Sequence, residues 1–128
     1  MLQAYAYAIH LLAGFALLAV FFKLYTFATP FDEVNLIRQG NLAAVLSLGG
    51  ALLGFCLTVA ASIVINPTFF MFLIWAAGAM LVQVLCHGAI ARALPEMDPA
   101  IAANNVAMGA LMGILSLSVG IINAACLS

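Results

Sequence analysis

Four long apolar runs, separated by short polar connections, leave this chain few ways to fold. The first extends from about Ala6 to Ala28 and is interrupted only by His10, Lys23 and Thr26. The second covers Asn41 to Ile65, the third about Phe69 to Ala91 with Gln83 and His87 inside it, and the fourth about Ala103 to Ala125. At roughly 1.5 Å per residue, helices of this length cross the ~30 Å hydrocarbon layer of a bilayer. With 68% of 128 residues hydrophobic and 5% charged, no fold in water hides this much apolar surface. The expected fold is all-α: a polytopic membrane protein of four transmembrane helices, with the lipid bilayer as its first partner.

The first run competes with a cleaved signal peptide. Met1-Leu2-Gln3 lacks a basic leader, however, and the run is longer than an ordinary signal core, so a retained span is expected. Lys23 near its end can snorkel to the headgroups, and Tyr25 suits the interface.

The connections differ in kind. Asn66-Pro67-Thr68 is a very short turn, which makes the second and third spans antiparallel neighbours. Thr29 to Gly40 and Arg92 to Pro99 are longer, charged hinges. In the first hinge Glu33, Ile37 and Asn41 fall on one side at helical spacing, predicting a short amphipathic turn at the membrane surface.

Small residues line the second and fourth spans. Ser47, Gly50, Gly54, Thr58 and Ser62 make one helical stripe; Asn105, Gly109, Gly113, Ser116, Gly120 and Asn123 make another. Such faces let backbones approach closely in lipid, so Gly50, Gly54, Gly109, Gly113 and Gly120 are candidate helix-packing positions. At one constant offset of sixty-four, Gly14 matches Gly78, Ile37 Ile101, Asn41 Asn105, Gly49 Gly113 and Leu53 Leu117. The expected organisation is two repeats of two helices each, residues 1–66 and 67–128, in parallel topology and within one membrane domain.

Lys23, Arg38 and Arg92 all lie in or beside the two hinges. Cations favour the cytoplasmic side, which puts the hinges inside and both termini on the periplasmic or external side. The net charge of −1 and the absence of a basic cluster argue against nucleic acid as a partner.

Thr29-Pro30-Phe31-Asp32-Glu33, the stretches Leu36 to Ala44 and Leu48 to Phe55, and the ending Gly120-Ile121-Ile122-Asn123-Ala124-Ala125-Cys126 resemble the YjfL-like bacterial inner-membrane proteins, domain of unknown function family 350. The resemblance covers nearly the whole chain. It implies a multi-pass protein of the bacterial inner membrane with two copies of the unit, and it brings no established catalytic residues. The family's Gly-Asn pair stands as Asn104-Asn105 in the second copy.

Few residues offer chemistry. Asp32 and Glu33, with Glu96 and Asp98, form acidic pairs at equivalent hinges; they are a candidate cation site, against the simpler expectation of solvated loop carboxylates. His10 and His87 fall near opposite membrane faces, and Cys86 and His87 diverge by about 100° on a helix, so neither pair is expected to hold a metal. Cys56, Cys86 and Cys126 are odd in number and form no disulfide framework. No serine–histidine pair, phosphate loop or zinc spacing is present, so neither an enzyme nor a cofactor is expected.

The candidate functional polar residues are then Asp32, Glu33, Arg38, Asn41, Asn105, Ser116 and Asn123. Asn41 and Asn105 stand where helices begin and read first as caps; Gln83 and the span hydroxyls read as interhelical glue. Two function classes follow. One is a small structural or interaction module that forms a homo-oligomer, or holds a membrane or cytoplasmic protein partner, through its glycine faces. The other is an oligomeric small-ion channel or transporter with a polar path along the second and fourth helices.

Overall fold

A computed structural model describes residues 2–127 of the chain. Every regular element among them is helical: α1 (Leu2–Ala28), α2 (Glu33–Arg38), α3 (Leu42–Ile65), α4 (Phe69–Ala93), α5 (Met97–Ala102) and α6 (Val106–Cys126). α1, α3, α4 and α6 are long and apolar enough to cross a membrane. α2 and α5 are short helices in the two hinges.

The boundaries follow from the caps. Asp32, Asn41, Thr68 and Asn105 precede α2, α3, α4 and α6, and each side-chain oxygen accepts from the backbone N–H three residues on. This satisfies one of the donors that a helix start leaves free. α6 begins at Val106, later than the apolar run suggests, because Asn104 has φ +63° and Asn105 is the cap. α1 starts earlier, at Leu2, since Leu2 to Tyr5 continues the helix without a breaker. α5 was not foreseen in the second hinge. Its Pro99 stands in the first turn, where a proline's missing N–H costs nothing.

α3 lies at the centre and touches α1, α2, α4, α5 and α6; its contact with α6 is by far the most extensive. Lipid tails are as apolar as leucine, so close packing rather than water exclusion must hold these helices together. One core joins α1, α3 and α4 through Phe21, Phe55, Phe72, Ala76 and Met80, with Phe21 stacked on Phe55 at 4.7 Å between centroids. A second core, at the hinge end, joins Ala43, Ala44, Met97, Ile101 and Met112. Tyr25 belongs to the first core at 2% exposure instead of anchoring at the interface.

The α3–α6 contact is a backbone seam. A Cβ added at Gly50 would overlap the Gly113 backbone, one at Gly109 the Ala43 backbone, one at Gly113 the Leu46 carbonyl, and one at Gly120 the Gly54 backbone. Gly54 faces Ser116 and Gly120 in turn. All five packing glycines therefore meet inside one chain, and these faces are not free to hold a partner.

Candidate functional site

The hinges bring ionisable groups under cover. Glu33, the first residue of α2, is 1% exposed, while its neighbour Asp32 remains at the surface as the cap. The Thr29 hydroxyl donates to Glu33 Oε1, and Oε2 has no protein partner among the described residues. Burial raises the Glu33 carboxyl to about 7; the Thr29 hydrogen bond opposes that rise, and the negative charges of Asp98 and Asp32 add to it. The expectation of a solvated loop carboxylate fails here because α2 lays this side chain inward. It holds for Asp32 and Glu96, which are exposed.

Asp98, from α5, lies within electrostatic reach of Glu33, Tyr25 and His87. Tyr25 shares a hydrogen bond of 2.8 Å with Ser47 Oγ, and its ring lies 4.5 Å from that of His87. Five helices thus contribute to one cluster, buried but for the half-buried Asp98: Tyr25 and the following Thr29, Glu33, Ser47, His87 and Asp98. Among the described residues, His87 Nδ1 and Asp98 Oδ1, like Glu33 Oε2, are buried without a protein partner. No group of three or more His, Cys, Asp or Glu among the described residues has the arrangement to hold a metal ion. His10 stands apart, its ring 5.4 Å from Phe72 near the start of α4.

From the cluster a line of polar side chains continues through the bundle. Gln83 Nε2 donates to the Ser116 carbonyl at 2.9 Å, Thr58 Oγ1 to the carbonyls of Gly54 and Gly120, and Asn123 Nδ2 to the Ala79 carbonyl at 3.0 Å. Ser62 Oγ donates to the Phe72 carbonyl. All but the Thr58–Gly54 bond, which lies within α3, are interhelical bonds to backbone, and Gln83 Oε1 and Ser116 Oγ have no protein partner among the described residues. Ser116 and Asn123 face neighbouring helices, not open space.

Asn41 and Asn105 both cap, yet their surroundings differ. Asn41 is 6% exposed, and its amide also donates to the carbonyls of Ile101 and Ala102 at 3.0 and 3.3 Å. Asn105 is exposed and only caps, accepting from Met108 N. Asn104, noted in the sequence for its place beside Asn105 but not among the candidate polar residues, accepts from Ala43 N at 3.2 Å. Arg38 is exposed in the last turn of α2. Of the cluster members missed in the sequence, Tyr25 and Thr29 carry a weak signal, as polar side chains at the hinge end of α1, while His87 lies inside α4, more than a turn before its end, and carries none of this kind.

The family profile described as Domain of Unknown Function (DUF350) matches residues 1–127. The chain is 29% identical over 123 residues to the UPF0719 inner membrane protein YjfL of Escherichia coli strain K12, covering 96% of this chain and 93% of that protein. The corresponding protein of Escherichia coli O157:H7 matches to the same extent. No solved structure matches. With a profile that spans all but the last residue, the chain belongs to the DUF350 family.

Proposed function

We propose that this chain is a non-enzymatic, self-associating module of the bacterial inner membrane, built from two tandem units, residues 1–66 and 67–128. The inner-membrane relative supports the location. The cations at the hinge end, Lys23, Arg38 and Arg92, support cytoplasmic hinges and external termini. The observation that carries the reading is the closed α3–α6 seam: the glycines and amides that could border an aqueous path instead pack helix on helix within the chain. Self-association must then use the outward faces, with a second copy as the first partner and another membrane or cytoplasmic protein as the alternative.

A second reading is a small-ion path along α3 and α6. It is favoured by the buried polar atoms without partners on Glu33, Asp98, His87, Gln83 and Ser116, which run inward from the hinge end. Packing this tight suits a proton better than a hydrated ion.

One experiment separates the two: particle mass in lipid nanodiscs, together with ion and proton flux in liposomes. Assemblies larger than one chain without flux support the module. A monomer, or selective flux abolished by His87→Ala or Asn105→Leu, overturns it.

A further inference from the structure

The way the two units meet specifies how a second copy would add. α3 turns Ala43, Ser47, Gly50, Gly54 and Thr58 toward α6. α6 answers with Gly109, Gly113, Ser116 and Gly120. At the offset of sixty-four, the α3 equivalents of those four are Val45, Gly49, Leu52 and Cys56. They stand two residues out of phase with the first set, about 200° around the helix. The front of the first unit therefore packs on the back of the second.

α1 and α4 obey the same rule. His10 and Tyr25 meet Phe69, Phe72 and His87. Sixty-four positions away, the equivalents of the α1 pair are Ile74 and Ala89, and those of the α4 set are Tyr5, Ala8 and Lys23; all five are exposed. In both helix layers, then, one front is exposed, and one back is exposed on α1 and, apart from the exposed Val45, half-buried on α3, where Leu52 packs partly on the first core. A front-to-back contact is heterologous: it does not satisfy itself, and repetition gives a ring if it closes.

The open faces also fit in size. Carrying each contact forward by one unit sets Ile114 opposite the partner's Gly49, Ala107 opposite the partner's Val45, and Ser118 opposite the partner's Cys56. Every pair has at least one small member. Ile114 is 61% exposed, and a Cβ at Gly49 would meet nothing within 4 Å, so there is room for the larger side chain. Ile122, at 64% exposure, then faces an apolar groove of 170 Å³ between α1 and α3, lined by Leu11, Gly14, Cys56 and Ala60 among others.

We propose that a second copy of this chain docks head to tail, the α6 face of Ala107, Leu111, Ile114, Ser118 and Ile122 against the partner's α3 face of Val45, Gly49, Leu52 and Cys56, building a ring in the membrane plane. The inference rests on the two-unit, self-associating reading and adds which faces meet.

The test is disulfide cross-linking in native membranes with copper phenanthroline, using Ser118→Cys in a Cys86→Ser, Cys126→Ser background that keeps Cys56. The expected result on a denaturing gel is a ladder of multimers that disappears with Cys56→Ser. Gly49→Leu is the companion variant; it fills only open space, so helix content is retained while particle mass in nanodiscs falls to that of one chain. Three results would overturn the proposal. A dimer band that survives Cys56→Ser means α6 meets α6, and self-association stands without the head-to-tail contact. An absent ladder with a multimeric mass, or an unchanged mass for Gly49→Leu, means another face is used. An absent ladder with a monomeric wild type removes the self-associating reading as well.

Discussion

Asn104 repeats the backbone turn that Gly40 makes sixty-four positions earlier, with φ +63° at one and +87° at the other. Each stands just before the asparagine that caps the following helix. Asparagine is the non-glycine residue best suited to this region, so asparagine in the place that Gly40 holds in the first hinge keeps the turn. Asn104→Ala is expected to lower unfolding free energy by about 1–2 kcal/mol, and Asn104→Val by more, while Asn104→Gly loses only the bond to Ala43 N. Reversible unfolding in mixed micelles, followed by circular dichroism, reads the order.

Two adjacent glycines should behave oppositely. Gly50→Ala puts a methyl into the Gly113 backbone and must push α3 and α6 apart, whereas Gly49→Ala meets open space. The first is expected to destabilise by about 1–3 kcal/mol through overpacking. The second should be neutral or stabilising by up to about 1 kcal/mol through helix propensity. Thermal unfolding of the two variants side by side checks this.

Asn41 and Asn105 are matched caps with unequal duties. Asn105→Ala removes one cap, an effect of about 1 kcal/mol. Asn41→Ala removes a cap and also leaves the carbonyls of Ile101 and Ala102 without this amide, so its loss should exceed that of Asn105→Ala by about 1 kcal/mol or more. Equal losses would count against the cross-hinge bonds.

Glu33 should make stability depend on pH. Its carboxyl titrates near 4.5 when the chain is unfolded and about 7 when folded, so between those values the folded form holds more of the proton. Stability is then highest below about 4.5, declines as pH rises through 7, and is level above that. Glu33→Gln, which stays neutral, should flatten this segment of the profile. A slope unchanged by the substitution would assign it to another group.

The four spans were legible because nothing else can be made of such runs, and the caps at Asn41 and Asn105 because side chains of that kind announce a helix start. The amphipathic spacing of Glu33, Ile37 and Asn41 announced α2. What escaped was tertiary. Glu33 looks like any loop acid until α2 turns it beneath Thr29, and Tyr25 looks like an interface anchor until Ser47 and His87 surround it. α5 was hidden because prolines read as breakers even where a first turn tolerates them. The glycine stripes were visible, but a stripe does not say whether its complement lies in the same chain or the next. Here Gly54 finds Gly120, and the answer depends on a helix phase that only the folded seam reveals.

The Asn41 amide has a consequence for biogenesis. Its acceptors, the carbonyls of Ile101 and Ala102, are made about sixty residues after it, so the first half enters the membrane with this donor waiting. A chain interrupted between the halves would therefore present an unfinished hinge to the quality-control proteases. Coexpressing the halves as separate polypeptides should restore both.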